Sequence, residues 1–546
     1  MASETEDLAA IEAGSLPATA LPPAKACSVA VVGVRGHLIE VEVHLASAVP
    51  GFTLVGLPDT ALTEARDRVR AAIENSGQVW PNRRIIVGLS PATLPKSGSH
   101  YDLAIGICIL AVSGVVPRDA LEEALFLGEL GLDGRLRPIR GTLPSVLGAS
   151  EAGYRTVIVP EGNAAEAKLV EGVEVIGVRS LRQVIALLCD EPPPEEPGVS
   201  GPPGHSDRSE LVATADRLAG LDLGDVLGQT EARRAVEVAA AGGHHLYLQG
   251  PPGAGKTMLA ERIPGLLPDL SRAEAMEVTA IHSVAGVLPH DRPLVTRPPY
   301  ADPHHTATQV SVVGGGSGVI RPGAMSLAHR GVLFLDEAPE WRPTVLDALR
   351  QPLEKGEIEV YRAAGVAIFP ARFLLVLAAN PCPCGNANGD GLACSCTSQA
   401  RRRYHSRLSG PIKDRIDITL SVPPVGKADL VADRRHIETT AVVAARVADA
   451  RQRQTWRYRG RPWTLNAHVP GPVMRREWPP DSGAMNALDA GRSAARRLSA
   501  RGADRVLRVA WTLADLAGLE RPGSEQLLSA LTLRLGHQAA EGWGFD

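Results

Sequence analysis

A glycine-rich loop at residues 250–257 constrains the fold of this chain more than any other feature. Its sequence, GPPGAGKT, matches G-x-x-x-x-G-K-[ST], with an apolar LYL strand before it and a helical pattern after it. Such a loop curls its backbone N–H groups around phosphate at the amino end of a helix. The pattern predicts that Lys256 reaches the terminal phosphates of a nucleotide and that Thr257 ligates Mg²⁺; a chance glycine-rich turn is the alternative. The glycines of the loop are Gly250, Gly253 and Gly255.

Polar residues follow other apolar runs that read as buried strands. Val332–Leu335 leads into Asp336 and Glu337, and the run FLLVLAA leads into Asn380. In open α/β sheets ligands bind at the carboxyl ends of the strands. We therefore expect Asp336 to hold Mg²⁺, Glu337 to activate the attacking water and Asn380 to position that water. Arg415, just before another strand, is a candidate finger for a neighbouring subunit, although spacing alone leaves a structural role equally open for Asn380 and Arg415.

The chain is long enough for three or four domains. Its 546 residues suggest a disordered tail at 1–25, a mixed α and β domain at 26–189 and a linker at 190–212 that is rich in proline, glycine and acid. An alternating α/β domain at 213–424 and a mainly helical domain at 425–546 follow. Without an apolar run of membrane-spanning length or a signal peptide, we expect a cytoplasmic protein with no membrane partner.

Four stretches together resemble the YifB/ComM family of magnesium-chelatase-like AAA+ ATPases, along nearly the whole chain. They are HHLYLQGPPGAGKTMLAERI, GVLFLDEAPEW, NPCPCGNANGD and SGPIKDRID. The resemblance implies a P-loop α/β domain with a helical lid, and a homo-hexameric ring with ATP sites between subunits. By position, it implies that Lys256 and Thr257 are Walker A and that Asp336 and Glu337 are Walker B. It makes Asn380 sensor 1, Arg415 the arginine finger and Arg508 the sensor 2 arginine of the lid.

Two positions depart from the pattern of this family. The family usually has an acidic residue where Ala324 stands and an arginine where Trp511 stands. The first departure lies in a loop region before Walker B that is often directed at the pore of the ring. It therefore bears on the pore loops rather than on the ATP site.

Four of the seven cysteines crowd into one short segment before the basic stretch RRRYHSR. Crowded thiols in a cytosolic chain suggest a metal site more than a disulfide framework. Four thiolates can close a tetrahedral shell around a structural Zn²⁺, although C-x-C pairs are less typical than C-x-x-C pairs. Free reduced thiols, or fewer than four ligands, are the alternative. The candidate ligands are Cys382, Cys384, Cys394 and Cys396.

The first domain resembles the proteolytic domain of Lon-type enzymes, a ribosomal S5 domain 2-like α+β fold, which in this family is the ChlI-type N-terminal domain. The resemblance rests on PATLPKSGSHYDLAIGICIL and GELGLDGRLRPIRGTLPSVLGA. Lon-type enzymes use a Ser–Lys pair. By position, the serine would fall at His100 and the lysine at Pro144, so we expect no peptidase activity and a role in interactions instead. Ser99 reads as a turn serine.

Nucleic-acid contact rests on a local basic segment, because the net charge of −4 does not indicate a wholly basic protein. Residues 451–463, RQRQTWRYRGRPW, interleave arginine with tryptophan and tyrosine, which can contact phosphates and stack on bases. Intersubunit or ATP contacts are an equally good explanation. His304 and His305 suggest a surface role or a role behind the site. Further helical charges are Arg492, Arg496, Arg497 and Arg501.

The family resemblance makes a DNA helicase that promotes branch migration, in recombination or natural transformation, the leading hypothesis. Its partners would be branched or single-stranded DNA and other recombination proteins, and its cofactors ATP, Mg²⁺ and a structural Zn²⁺. A chelatase-like protein-remodelling or metal-insertion ATPase is the alternative. An ATP-dependent protease is the third class, and the missing Ser–Lys pair speaks against it.

Overall fold

A computed structural model of the chain divides it into two compact units, 1–205 and 206–546. Most of the predicted tail, the central part of the predicted linker, and Arg492, Arg496 and Arg497 lie outside the residues that the structure describes. The described residues are 22–56, 64–94, 96, 98–196, 210–289, 292–316, 320–362, 365–387, 394–426, 437–486, 488 and 498–535.

The first unit is built around a mixed sheet of seven strands, in the order β3-β4-β2-β1-β5-β6-β7. The predicted opening hairpin is confirmed, since β1 and β2 pair antiparallel around a turn in which Gly33 has a φ of 64°. β1 begins at Ala24, inside the stretch to residue 25 that the sequence assigns to a tail. The strands are β1 (Ala24–Val32), β2 (Arg35–Ala46), β3 (Gly51–Val55), β4 (Arg84–Ser90), β5 (Ala124–Phe126), β6 (Thr156–Pro160) and β7 (Glu174–Val178).

Helices cover this sheet and enclose its core. Every residue of α2 is buried, because its run of aliphatic residues has apolar neighbours on all sides. Asp102 at the start of that helix is buried too, and Arg68 of α1 donates to it at 2.7 Å. The helices are α1 (Ala65–Asn75), α2 (Asp102–Val112), α3 (Thr142–Glu151), α4 (Glu161–Ala167) and α5 (Leu181–Leu188).

The second unit contains the parallel sheet that the alternating pattern predicts. Its five strands lie in the order β9-β12-β15-β8-β16, and each neighbouring pair is parallel. The segments that connect the strands of this sheet contain two short antiparallel strand pairs, β10–β11 and β13–β14. The strands are β8 (Leu246–Gln249), β9 (Tyr300–Ala301), β10 (Gly314–Gly315), β11 (Arg321–Pro322), β12 (Val332–Leu335), β13 (Glu357–Arg362), β14 (Gly365–Pro370), β15 (Leu374–Ala379) and β16 (Ile418–Ser421).

Helices flank this sheet and also make up the C-terminal segment, as predicted. The first of them begins at Glu210, within the predicted linker. They are α6 (Glu210–Ala219), α7 (Thr230–Gly242), α8 (Lys256–Leu266), α9 (Arg272–Ala285), α10 (Gln309–Val313), α11 (Ala324–Leu327), α12 (Pro343–Ala348), α13 (Arg350–Lys355), α14 (Ser398–Ser406), α15 (Gly410–Lys413), α16 (Thr440–Arg457), α17 (Gly471–Glu477), α18 (Ala500–Ala517) and α19 (Ser524–Leu535).

One hydrophobic core joins the parallel sheet to the C-terminal helices. Leu246 and Val376 of the sheet belong to the same buried cluster as Val447 of α16 and Leu507 of α18. The predicted boundary at residue 425 therefore does not separate two hydrophobic cores. Within the part of the chain that the structure describes, no helix is long and apolar enough to cross a membrane.

Candidate functional site

The phosphate-binding loop lies between β8 and α8, where its sequence context places it. Gly253 and Gly255 have φ angles of 77° and 87°, in the left-handed region that favours glycine. A Cβ atom at either position would have no neighbour within 4 Å, so these glycines serve the backbone turn rather than tight packing. At Gly250 a Cβ would lie 2.2 Å from the carbonyl oxygen of Val422, so only glycine fits there. The loop therefore uses glycine at all three positions, either for its backbone turn or for close packing.

Lys256 is folded back onto this loop. Its Nζ donates to the carbonyl oxygens of Gly250, at 2.8 Å, and Pro251, at 2.9 Å, and to Oδ1 of Asn380 at 3.2 Å. Burial lowers the pKa of the ammonium, although the charge of Asp336 opposes that shift. The structure therefore brings Lys256 and Asn380 together, and a phosphate entering the loop competes with Asn380 for the ammonium.

Asp336 lies beside Thr257 at the carboxyl edge of the sheet. Because β12, β15 and β8 are parallel neighbours, their carboxyl ends meet at one edge. Thr257 Oγ1 donates to Asp336 Oδ2 at 3.2 Å, and the backbone N–H of Glu337 donates to the other carboxylate oxygen at 2.8 Å. The Trp341 indole donates to the Asp336 carbonyl at 2.9 Å and fixes the turn. A hydroxyl and a carboxylate at this spacing match the oxygen ligands that Mg²⁺ prefers.

Glu337 is contacted by His305, for which the sequence suggested only a surface role or a role behind the site. Its backbone has a φ of 50°, which is uncommon for a residue other than glycine. His305 Nδ1 lies 3.0 Å from Glu337 Oε2, and the His304 ring contacts the His305 ring with centroids 4.2 Å apart and an angle of 36° between the ring planes. His305 follows β9, the strand next to β12, which is the one signal that could have placed it beside Glu337.

Arg415 lies outside this cluster in the same chain. Its guanidinium forms an ion pair with Glu354 and donates to the carbonyl oxygen of Pro411 at 2.7 Å. Within the described ranges it makes no contact with the phosphate-binding loop. This position is compatible with a finger that acts on another subunit, which stays a prediction.

Arg508 lies at the other edge of the sheet. It sits on α18, where burial lowers the pKa of its guanidinium and the charge of Asp417 raises it. Asp417 accepts from the backbone N–H of His245 at 3.0 Å and from Arg505 at 2.6 Å, so it marks the amino ends of β8 and β16. The phosphate-binding loop follows the carboxyl end of β8. Arg508 is therefore not placed against the loop of its own chain, and its sensor role stays a prediction.

The two family departures fall in ordinary structural settings. Ala324 is the first residue of the short helix α11. Trp511 is buried in α18, where its indole donates to the carbonyl oxygen of Trp478 at 3.0 Å. The guanidinium of Arg457 stacks 4.1 Å from the Trp511 ring. Trp511 therefore contributes a packing contact and a cation–π contact in this helix.

The four clustered cysteines converge on one point. Their sulfur atoms all lie within 4.8 Å of one another. Cys382 Sγ lies 3.3 Å from Cys384 Sγ and 3.6 Å from Cys394 Sγ, close to the edge of about 3.8 Å that four Zn–S bonds of about 2.3 Å define. The backbone N–H of Asn386 lowers the pKa of the Cys384 thiol to about 6, which favours the thiolate that metals bind. Cys396 is the fourth member of the cluster, and the four cysteines together could hold a metal such as Zn²⁺.

The cysteine segment is packed against the phosphate-binding loop. A Cβ atom at Gly385 would lie 2.8 Å from the Pro252 ring of that loop. Cys382 follows Asn380 by two residues, and the ring of His405 bonds to the carbonyl oxygen of Pro381 at 2.9 Å. The cysteine cluster and the phosphate-binding loop are therefore neighbours.

Most arginines of the basic segment 451–463 are engaged in internal contacts, so nucleic-acid contact by this segment stays a prediction that rests on its remaining exposed residues. Arg451 donates to the Ala240 carbonyl at 2.7 Å. Arg453 and Arg457 bind the backbone and side chain of Asp515, respectively. Arginines that satisfy internal acceptors are not available to DNA phosphates. Arg459 and Trp456 are exposed, whereas Arg461 pairs with Glu477 at 2.6 Å.

Comparison with protein-family models covers most of the chain. Residues 222–430 match the model described as magnesium chelatase, subunit ChlI, and residues 437–534 match the C-terminal model of the same subunit. Residues 41–163 match a third model, described as subunit ChlI of Mg-chelatase. The chain therefore carries three family segments in one polypeptide.

Relatives of similar length match along nearly the whole chain. An uncharacterized protein of Mycobacterium tuberculosis is 51% identical over 93% of this chain and 98% of its own length. The protein YifB of Escherichia coli is 41% identical, and the competence protein ComM of Haemophilus influenzae is 40% identical; each match covers 92% of this chain and 96% of the relative. A stretch of 107 residues is also 29% identical to Lon protease 2 of Bacillus subtilis, over 19% of each chain.

Proposed function

The chain belongs to the YifB/ComM family of magnesium-chelatase-like AAA+ ATPases, and from this premise we propose that it is a ring motor that moves branched DNA. The ring is a homo-hexamer with ATP sites between subunits, and it promotes branch migration in recombination or natural transformation. The observation that carries the ATPase is the meeting of Lys256, Thr257, Asp336, Glu337 and Asn380 at one edge of the sheet. The competence protein among its relatives supports the choice of DNA.

In this mechanism each residue at the sheet edge has one task. Thr257 and Asp336 would hold Mg²⁺, which would supply positive charge to offset the negative charge that develops on the phosphates of ATP. Lys256 exchanges its bond to Asn380 for the terminal phosphates, and Asn380 is released to orient the water. Glu337 accepts the proton of that water as it attacks. Arg415 of one subunit and Arg508 complete the site between subunits.

In this proposal His305 restrains Glu337, so removing His305 should raise the basal rate of ATP hydrolysis rather than lower it. In the structure His305 engages one oxygen of the carboxylate that should accept the proton. Losing a hydrogen bond of about 1 kcal/mol changes an equilibrium about fivefold. We expect His305→Ala to raise the basal rate of ATP hydrolysis by a few-fold and to reduce its stimulation by DNA. A steady-state phosphate-release assay measures both rates, with His304→Ala as the matched control. A fall as deep as that of a Glu337 variant would contradict this role.

The four cysteines hold one structural Zn²⁺ per chain in our proposal. A closed four-thiolate shell leaves no open coordination position for catalysis, so the metal stabilises the segment beside the phosphate-binding loop. We expect about one zinc ion per chain by elemental analysis, and loss of the ion in Cys382→Ser or Cys394→Ser. We also expect a lower melting temperature in these variants, with buried Cys108→Ser as the control that keeps the metal. Less than half an ion per chain in fresh protein would contradict the proposal.

The first unit has no peptidase role in this proposal. The positions of the Lon-type pair hold His100 and Pro144, and Ser99 donates its hydroxyl hydrogen to the Glu129 carboxylate. The Glu129 carboxylate can accept the proton of Ser99. The lysine of the Lon-type pair, however, is replaced by Pro144. ATP-dependent turnover of casein, abolished by Ser99→Ala, would overturn this assignment.

A chelatase-like ATPase that remodels proteins or inserts metal is the second candidate, because all three family models carry the name of the chelatase subunit. The two candidates differ in what stimulates hydrolysis. Forked DNA stimulates a DNA motor, whereas only a protein partner stimulates a remodelling ATPase. A cytoplasmic location and recombination proteins as partners belong to the first proposal.

A further inference from the structure

A cationic cavity lies between helices α14 and α15, directly after the cysteine cluster. Its volume is about 540 Å³, and none of the described residues that line it is acidic. Four of the lining side chains are basic: two arginines, a lysine and a histidine. The lining residues are Ser398, Arg401, Arg402, His405, Ser406 and Lys413.

The spacing of the lining residues puts them on one face of α14. Residues three and four positions apart are neighbours on a helix surface, which relates Ser398 to Arg401 and Arg402, and Arg401 to His405. Lys413 reaches the same face from α15, where its Nζ donates to the carbonyl oxygen of His405 at 2.9 Å. The cavity is thus formed by two helices whose cations converge.

The two arginines of this cavity differ from Arg407 nearby in having no acidic partner among the described residues. Among the described residues, no acidic side chain lies within 4 Å of Arg401 or Arg402, and both are exposed. Arg407, one turn further along the chain, pairs instead with Glu340 at 2.7 Å. Cations that converge without a counter-charge repel one another, and a bound anion removes that repulsion. Arginine matches phosphate especially well, because its guanidinium can form two parallel hydrogen bonds.

Helix α14 is attached at both ends to the metal and nucleotide sites. Thr397, the residue after Cys396, caps the helix by accepting from the backbone N–H of Ala400 at 3.1 Å. At the other end, His405 bonds to Pro381, which follows Asn380. A metal bound to the cysteines therefore fixes where the helix begins, and the ATP site contacts the turn where it ends.

We propose that Arg401, Arg402 and Lys413 bind the phosphate backbone of a single DNA strand, in a site that the four-cysteine metal cluster holds in place. The inference rests on the proposed function, since it names where the motor contacts its substrate. It places the nucleic-acid contact at the cavity rather than at residues 451–463, because most arginines of that segment are engaged internally. Free phosphate shares the same chemistry, and the experiment separates it from DNA.

The test measures binding of a fluorescent single-stranded oligonucleotide by anisotropy, with the full chain at several salt concentrations. We expect the double variant Arg401→Ala/Arg402→Ala to bind about tenfold more weakly and the slope of log K against log salt to fall by about 1.4, since each phosphate contact on a single strand contributes about 0.7. The control, Arg83→Ala/Arg521→Ala, removes the same charge from exposed sites outside both the cavity and residues 451–463, and it should keep both values.

The metal is tested in the same assay. We expect Cys394→Ser to weaken DNA binding by about as much as the double variant, because the helix loses its anchor. Unchanged ATP binding and an unchanged melting temperature in the arginine variant would show that it is folded, so that its affinity can be interpreted. Unchanged DNA affinity in a variant that is folded in this way would overturn the inference.

Two further arms separate the remaining outcomes. If inorganic phosphate at millimolar concentration displaces nothing from the wild type, while the double variant loses DNA, the site recognises the strand. If the variant loses binding of inorganic phosphate yet keeps its DNA affinity, the cavity is a small-anion site and the inference fails. If the wild type itself binds no DNA and no DNA stimulates its hydrolysis, the proposed function fails first.

Discussion

Replacement of Glu337 by glutamine is expected to lower the rate of ATP hydrolysis about 10²- to 10⁴-fold, the contribution typical of a general base. Glutamine keeps the shape of the side chain but cannot accept a proton. ATP binding should persist, because Lys256 and Thr257, the residues proposed to contact the phosphates and Mg²⁺, are unchanged. Phosphate release and binding of a fluorescent ATP analogue measure the two properties separately.

A neighbouring acid supplies the matched control for this variant. Glu340→Gln removes a carboxylate three residues further along, where it pairs with Arg407 on the surface. We expect this control to hydrolyse ATP at close to the wild-type rate, because exposed ion pairs contribute little. Loss of hydrolysis in both variants, or ATP binding lost together with hydrolysis in Glu337→Gln, would contradict the role of Glu337.

Replacement of Arg415 by alanine is expected to lower hydrolysis about 10³- to 10⁵-fold, the contribution measured for arginine fingers. In one chain this arginine pairs with Glu354, away from the phosphate-binding loop, so its effect requires a second subunit. ATP binding should change little. The control is Arg350→Ala, since Arg350 pairs with Asp347 at 2.7 Å at the start of α13.

Mixing the two inactive variants tests whether the finger acts between subunits. A ring that contains both Arg415→Ala and Glu337→Gln subunits has some sites with an intact Glu337 from one subunit and an intact Arg415 from its neighbour. We expect the mixture to recover a measurable fraction of the wild-type rate. Equal inactivity of the mixture and of each variant alone, with rings shown to exchange subunits, would place the finger in its own chain or assign it another role.

The nucleotide site could be predicted from sequence because its signals are short and contiguous. The glycine spacing of residues 250–257 specifies a local backbone path, and β8 and α8 flank it within a few residues. The runs before Asp336 and Asn380 are apolar throughout, as strands buried on both faces must be. Parallel pairing then brings their carboxyl ends together without any long-range information beyond the α/β pattern.

The sequence does not reveal contacts between residues that are far apart in the chain. Prediction stopped or failed where such a contact decides the role of a residue. The arginines of 451–463 look like a nucleic-acid surface until Asp515 and the Ala240 carbonyl, far away in sequence, are seen to engage them. His305 meets Glu337 only because β9 and β12 are adjacent strands. The edge of the sheet on which Arg508 lies depends on how α18 packs, and helix periodicity does not specify that.

The central claim is that ATP hydrolysis at this site moves DNA, and the most direct measurement is the rate of hydrolysis by the full chain with and without a branched DNA junction. The account predicts several-fold stimulation by the junction, weaker stimulation by duplex DNA, and none in Glu337→Gln. A rate that is the same with every DNA tested would contradict the DNA motor and leave the remodelling ATPase as the better account.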